Sequence, residues 1–374
     1  MNVLITGGAG FIGVSLALKL LSKNFNVTVL DNLSRQIHGD DPAHSPLFIQ
    51  IKDKVKFIKG DVRDNNDLRN AIKQQDIIVH LASETGTGQS MYEIQRYVDV
   101  NVNGTANLLD VVANTENNIK KIVIASSRSI YGEGKYKDNE GNIFYPEIRK
   151  EEQLKKGVFD PIHNGVSLKP CPTDELSMIH PISIYGITKQ TQEQLVLNVC
   201  NSIGIAAVSL RFQNVYGPGQ SLSNPYTGIL SVFSNLILNN KSLNIFEDGL
   251  ESRDFVYIDD VVEAIFQSLV NDNTNNNCYN VGTGIPTTVY EVASILQNCY
   301  NKSIPMKISG NYRLGDIRHN FACIEKLRKD TGWEPKTNIQ KGLSLFSDWV
   351  LNQELPKLDY ENSINEMKLK GMFK

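Results

Sequence analysis

The chain has 374 residues, a net charge of −3 and dispersed Lys and Arg; this is room for a large α/β domain with a smaller partner, and it excludes the concentrated basic face of a nucleic-acid binder. No apolar run reaches the roughly 20 residues that span a bilayer, and Met1-Asn2-Val3-Leu4-Ile5 opens without a charged leader, so the expectation is a cytoplasmic protein with no membrane partner. The five cysteines, Cys171, Cys200, Cys278, Cys299 and Cys323, are never spaced as C-x-x-C and read as reduced thiols, with no metal site and no disulfide framework.

Strands are expected at Asn2–Thr6, Asn26–Leu30, Val55–Lys59, Asp76–Leu81, Lys121–Ala125 and Ala206–Leu210, short apolar runs suited to burial on both faces. They alternate with helical patterns, so the first half reads as successive βαβ units of a doubly wound parallel sheet. Between Tyr131 and Tyr185 the periodicity fails among Gly132, Gly134, Gly141, Gly157 and Gly165. An insertion over about 133–180 is therefore expected, either an active-site cover or a disordered segment. After Arg211, helices are expected at Ile229–Leu238, Asp259–Val270, Thr288–Tyr300, Cys323–Thr331 and Ile339–Leu351. The Asn-rich stretch Asn271–Asn277 reads as a solvated loop. The expected division is a first domain over 1–213, a mainly substrate-binding domain over 214–352, and a tail over 353–374. Elements near 255–282 are candidates to return to the first domain.

The first strand runs into Gly7-Gly8-Ala9-Gly10-Phe11-Ile12-Gly13, which opens a helical stretch through Lys23. The glycines permit a tight turn and close approach of backbone to pyrophosphate, while the helix N-terminus supplies free N–H groups. Asp31 ends the second strand, where a carboxylate accepts from an adenosine ribose and repels a 2′-phosphate; NAD is favoured over NADP, with Arg35 the competing signal. The fold class is thus α/β, a Rossmann-type doubly wound sheet with a smaller mixed α/β substrate-binding domain. Asp61-Val62 and Leu81-Ala82-Ser83 sit at carboxyl ends of strands, where ligands bind. Asp61, like Asp64, also suits a helix cap.

Tyr185-Gly186-Ile187-Thr188-Lys189 begins a helix, which places Tyr185 and Lys189 on one face at i and i+4. A phenol of pKa about 10 is a poor base at neutral pH, but a nearby ammonium and the positive nicotinamide ring favour the phenolate. Tyr185 can then take a hydroxyl proton as hydride leaves the same carbon. Tyr131 and Lys135 have the same spacing, yet Gly132 and Gly134 break the helix there. Ser127, at the end of the fifth strand, is the candidate to bridge a substrate hydroxyl to the tyrosine.

Together these residues resemble the extended short-chain dehydrogenase/reductase family, specifically its NAD-dependent nucleotide-sugar epimerases and dehydratases. The resemblance also rests on Arg211-Phe212-Gln213-Asn214-Val215-Tyr216-Gly217-Pro218, Ser252-Arg253-Asp254-Phe255 and Arg313-Leu314-Gly315-Asp316. It implies a nucleotide-diphosphate sugar as substrate, held by Asn214, Arg253 and Arg313, with Glu84 and Thr85 at the sugar. It likewise adds Asn32 and Asn101 to the cofactor set. It implies a homodimer through helices near Tyr97–Asn114 and Ser183–Ser202.

Dehydratases of the family typically carry an acid two positions before the tyrosine that corresponds to Tyr131; here that position is Ser129, preceded by Arg128, and Glu84 is the remaining acid able to substitute. An epimerase is therefore favoured. The segments Ala82–Ser90, Ser126–Gly134 and Gly219–Gly228 resemble those of dTDP-L-rhamnose 4-epimerases, which make dTDP-6-deoxy-L-talose. The implied reaction is oxidation at C4 by Tyr185 and NAD, turning of the 4-ketosugar about its diphosphate, and re-reduction on the other face. Other redox outcomes (4,6-dehydration, 4-keto reduction, C4 oxidation) and a non-catalytic NAD-binding regulator are the alternatives.

Overall fold

The computed structural model describes residues 1–222, 228–355, 368–371 and 373–374. Seven short strands form its frame: β1 (Asn2–Thr6), β2 (Asn26–Asp31), β3 (Lys56–Lys59), β4 (Ile77–His80), β5 (Lys121–Ser127), β6 (Ala206–Phe212) and β7 (Asn277–Val281). They lie in the order β7-β6-β5-β4-β1-β2-β3, and every neighbouring pair is parallel. Alternate residues of one strand enter different cores: Val3 and Ile5 join one apolar cluster, Leu4 the other. Burial of both sheet faces is what the uninterrupted apolar runs require.

Helices cover the two faces. Helix α1 (Phe11–Ser22) packs against α4 (Ile258–Val270), and α2 (Gly104–Asn114) packs against α3 (Ile184–Ile203). The order of strands reverses between β1 and β4, which opens a crevice at their carboxyl ends, the place where open α/β sheets bind ligands. Segment 258–281 thus returns one helix and one strand to the first layer. The second half adds a small mixed sheet of Asn214–Tyr216, Ser252–Tyr257, Pro286–Thr288 and His319–Asn320. Helices Ile229–Leu238 and Ile339–Leu351 have the bounds expected from their periodicity, and Val289–Cys299 starts at a Thr288/Glu291 capping box.

Two expectations are corrected. Asn277, read as the end of a solvated loop, begins edge strand β7, whose Asn280 is buried and bonded to the Tyr131 hydroxyl at 2.9 Å. The 133–180 insertion is neither a cover nor structureless. It builds two-residue strands at Tyr136–Lys137, Ile143–Phe144 and Lys169–Pro170 and a hairpin of Ile162–His163 with Val166–Ser167, and none of its residues lines the ligand cavity. Ions fasten it to the second half: buried Arg149 reaches buried Glu247 at 2.8 Å, Glu133 accepts from Arg318 N at 2.7 Å, and half-exposed Asp160 takes the buried Arg318 at 2.7 Å. The tail expected over 353–374 falls largely outside the described residues, as does Ser223–Thr227 of the Gly219–Gly228 segment.

Candidate active site

A cavity of about 620 Å³ occupies the crevice and extends between the two halves. At its sheet end stands the glycine turn. Gly7 has φ +67°, and a Cβ there would lie 2.7 Å from the Ala82 nitrogen; a Cβ on Gly13 would lie 2.5 Å from Gly8 Cα. The first glycine shapes the turn and the last lets α1 close on β1, as a dinucleotide cradle needs. Gly10, Phe11 and Ile12 line the same wall, as do Leu81, Ala82 and Ser83.

Asp31 reaches this wall with its carboxylate accepting from Ala9 N at 3.0 Å and Leu33 N at 2.8 Å. Burial raises its pKa against those two bonds. Beside it Asp61 is held at about 2, chiefly by Arg63, with burial opposing and Asn32 assisting at 2.9 Å. Asp61 therefore faces the cavity with Asn32 and Val62, and the helix cap is Asp64, which accepts from Asn66 and Asp67 nitrogens. Arg35 is exposed and paired with Asp40, not with Asp31, which leaves the Asp31 carboxylate free of arginine, as the ribose of NAD requires. His38, not singled out from sequence, is buried 4.0 Å from Asp31.

Asn101 stands behind the lining, in a widened helical stretch Val98–Asn103. Its amide accepts from Glu84 N at 2.7 Å and donates to Glu84 O at 3.1 Å and Thr188 Oγ1 at 3.0 Å. It holds the Glu84 loop from behind and does not line the cavity itself. Glu84 and Thr85 line the cavity. The Glu84 carboxylate is paired with Arg96 at 2.9 Å, and Thr85 O accepts from Tyr97 at 2.7 Å.

Helix α3 presents Tyr185 and Lys189 to the cavity, and β5 ends there in Ser127. Ser183 caps α3 by accepting from Gly186 N, which fixes the first turn. Burial raises the Tyr185 pKa, while the facing Ser127 hydroxyl and then Arg128 draw it down; the Tyr97 ring sits edge-on 6.4 Å away. Ser129 Oγ donates to Ser127 Oγ at 2.9 Å.

Lys189 is engaged within its own helix. Its ammonium donates to Gln192 at 2.8 Å, and burial brings its pKa to about 7. Gln192 continues a buried chain through Thr105 and His80 to Thr6. In this arrangement Lys189 is bonded to Gln192, and the cation that draws the Tyr185 pKa down is Arg128. The Tyr131 hydroxyl, in contrast, meets Asn280 and Arg211, and Lys135 pairs with Asp174, so that second Tyr–Lys spacing forms no site.

The far wall carries Asn214, Arg253 and Arg313. Arg313 lies over the Phe246 ring at 5.0 Å with its Nε buried and unpartnered. Arg253 is less free than expected: its terminal nitrogens donate to Ser252 O, Arg318 O, Ile317 O and Asp316 Oδ1. Sequence reasoning missed Gln213 and Asn244, each lining the cavity with a buried polar atom that lacks a hydrogen-bond partner, and Glu251, whose Oε2 has only an ion pair with Arg318 at 3.8 Å; Gln213 lay inside a quoted motif, whereas nothing marked the other two. Such orphaned atoms are satisfied when a polar ligand binds. Among the described residues no three His, Cys, Asp or Glu side chains gather to hold a metal, and no helix is long and apolar enough to cross a membrane.

Glycine cradle, ribose carboxylate and buried tyrosine in one crevice define an NAD-dependent enzyme of the Rossmann class. The model of the NAD dependent epimerase/dehydratase family matches residues 3–152 and 165–282, and the chain belongs to that family. It is 36% identical over 358 residues to the dTDP-L-rhamnose 4-epimerase of Burkholderia thailandensis, covering 95% of this chain and 96% of that protein. Among solved structures it is similar to the UDP-glucose 4-epimerase of Thermotoga maritima with UDP-glucose, at TM-score 0.76, 28% identity and coverage of 94% and 99%. It is also similar to the UDP-glucuronic acid 4-epimerase of Bacillus cereus in complex with UDP-glucuronic acid and NAD, at TM-score 0.74, 25% identity and the same coverage.

Proposed function

We propose that the protein is a nucleotide-sugar 4-epimerase acting through a transient 4-ketosugar, with dTDP-L-rhamnose and dTDP-6-deoxy-L-talose as its pair. One observation carries epimerisation over dehydration: the hydroxyl of Ser129 bonds to Ser127 where a dehydratase needs an acid, and the nearby Glu84 carboxylate is neutralised by Arg96. The particular sugar rests on the 36% identical relative.

In this mechanism Tyr185 as phenolate accepts the C4 hydroxyl proton, and Ser127 holds that hydroxyl against it. NAD, when bound, would supply the acceptance and return of hydride at C4. Gly7, Gly10 and Gly13 would receive its pyrophosphate, Asp31 its adenosine ribose, and Lys189 its nicotinamide ribose. Arg313 and Asn214 anchor the diphosphate end, so the sugar turns without leaving. The exposed apolar side chains Ile94, Val98 and Ile187, beside the packed pair α2 and α3, support a homodimer through that face. An Ile187→Glu variant is expected to elute as a monomer on a calibrated sizing column.

The direct test is proton NMR of dTDP-L-rhamnose with purified protein and no added cofactor, followed by product mass. An isomer of unchanged mass inverted at C4 is expected. An unchanged spectrum sinks this substrate, and loss of water or of two hydrogens sinks epimerisation.

A further inference from the structure

We propose that Arg128 grips the sugar-linked phosphate of the substrate beside Tyr185. The inference rests on the nucleotide-sugar reading above and assigns a ligand contact to a residue otherwise notable for replacing an acid. Arg128 directly follows Ser127 on the short turn Arg128–Tyr131 and lines the cavity. Its Nε donates to Asn214 Oδ1 at 2.8 Å, which fixes the plane of the guanidinium. Among the described residues its two terminal nitrogens have no protein acceptor. A guanidinium anchored at Nε with both terminal groups free is a fork for two oxygens of one phosphate.

The neighbouring arginine cannot fill that role as well. All four of the protein oxygens around Arg253 (Ser252 O, Arg318 O, Ile317 O and Asp316 Oδ1) already receive its terminal N–H groups, and Asp316 pairs with it at 3.0 Å. Arg128, unlike Arg253, has no carboxylate paired with it among the described residues. Burial first and then Arg253 disfavour its charge, while Asp316, Tyr185 and Glu133 favour it, so it lies within electrostatic reach of both Tyr185 and Arg253. A substrate with its C4 at Tyr185 has its own phosphate one sugar ring away, within the span that Arg128 occupies. Asn214 accordingly acts as the tether of this arginine as much as a ligand in itself.

The test compares binding of dTDP and UDP with binding of dTMP and UMP by titration calorimetry. It uses the NAD-loaded wild type, Arg128→Gln and Arg128→Lys. Arg128→Gln is expected to weaken the diphosphates at least about tenfold, the loss of a charge-assisted contact, while the monophosphates change less than about twofold. Unchanged NAD content and Tm separate a lost contact from a lost fold. Should Arg128→Gln not fold, Arg128→Lys carries the test: it keeps the charge without the fork, and a smaller loss confined to the diphosphates is expected. Equal weakening of monophosphates and diphosphates, or none of either, overturns the assignment. A wild type that binds neither dTDP nor UDP removes the nucleotide-sugar reading itself, and the inference with it.

Discussion

Lys189 donates its 2.8 Å hydrogen bond to Gln192, one turn further along the same helix, inside a region where burial brings the lysine to about pKa 7. An unfolded lysine titrates at 10.5. Between these values the unfolded chain holds a proton that the folded chain has released, so this residue makes stability rise with pH across that window, and its penalty is full below it. Wild-type Tm measured against Lys189→Met from pH 7 to pH 10 should therefore climb relative to the variant. A constant difference would show that Lys189 is charged throughout.

Tyr185 is pushed the other way by burial, with Ser127 and Arg128 opposing. In the proposed mechanism the active form is the phenolate, so turnover should fall as pH drops through the tyrosine pKa. Ser127→Ala removes a group that lowers that pKa, and the acid limb of the kcat profile should move to higher pH. Tyr185→Phe should cost about a thousandfold in kcat while the NAD content of the purified protein stays at the wild-type level. Retained turnover would take Tyr185 out of the mechanism.

Glu251 stands on the cavity wall with its pKa raised to about 7, by burial first and then by Glu247 and Asp316, against the pull of Arg253. Losing its proton as pH rises through about 7 adds a negative charge to the wall that the proposed mechanism gives to a diphosphate. Affinity for dTDP or UDP should decline roughly threefold to tenfold between pH 6 and pH 8, and Glu251→Gln should flatten that dependence. Calorimetry at three pH values decides it.

Gly13 has no space for a methyl group: a Cβ would meet Gly8 Cα, Gly7 O and Gly8 C within 2.5–2.7 Å, all of them backbone. Alanine gains about 1 kcal/mol of helix propensity, but the overpacking costs about 1–3 kcal/mol and displaces the turn that carries the pyrophosphate. Gly13→Ala should lower Tm by a few degrees and purify with little NAD. Wild-type NAD content would show that α1 can step back without harm.

What the sequence makes legible follows from how local each signal is. The glycine turn, Asp31 and the six apolar strands depend on neighbours within a few residues, and they are found where pattern places them. Strand β7 is hidden because Asn277-Cys278-Tyr279-Asn280-Val281 has the polarity of a loop; its Asn280 is buried against Tyr131 and Thr173, over a hundred residues away in sequence. The partners of Arg253 and Lys189 are likewise unreadable in advance. The resemblance implies Arg253 and the i,i+4 spacing from Tyr185 implies Lys189, whereas the folded chain engages Arg253 with carbonyls of 252, 317 and 318 and Lys189 with Gln192. Arg128 shows the opposite case, a side chain whose value lies in the donors that folding leaves free.

The ionic fastening of the 133–180 insertion has a further consequence for how this protein can change. Glu133 accepts from Arg318 N at 2.7 Å, and Arg149 and Arg318 share Glu247. Arg318 also supplies a carbonyl to Arg253 on the cavity wall. Grafting a foreign loop in place of 133–180 would strand several buried charges at once, each at a steep energetic penalty. Lineages that diversify the sugar pocket must therefore retain the insertion or replace it together with the 247–253 and 316–319 segments, so the two regions are expected to be inherited as a linked block.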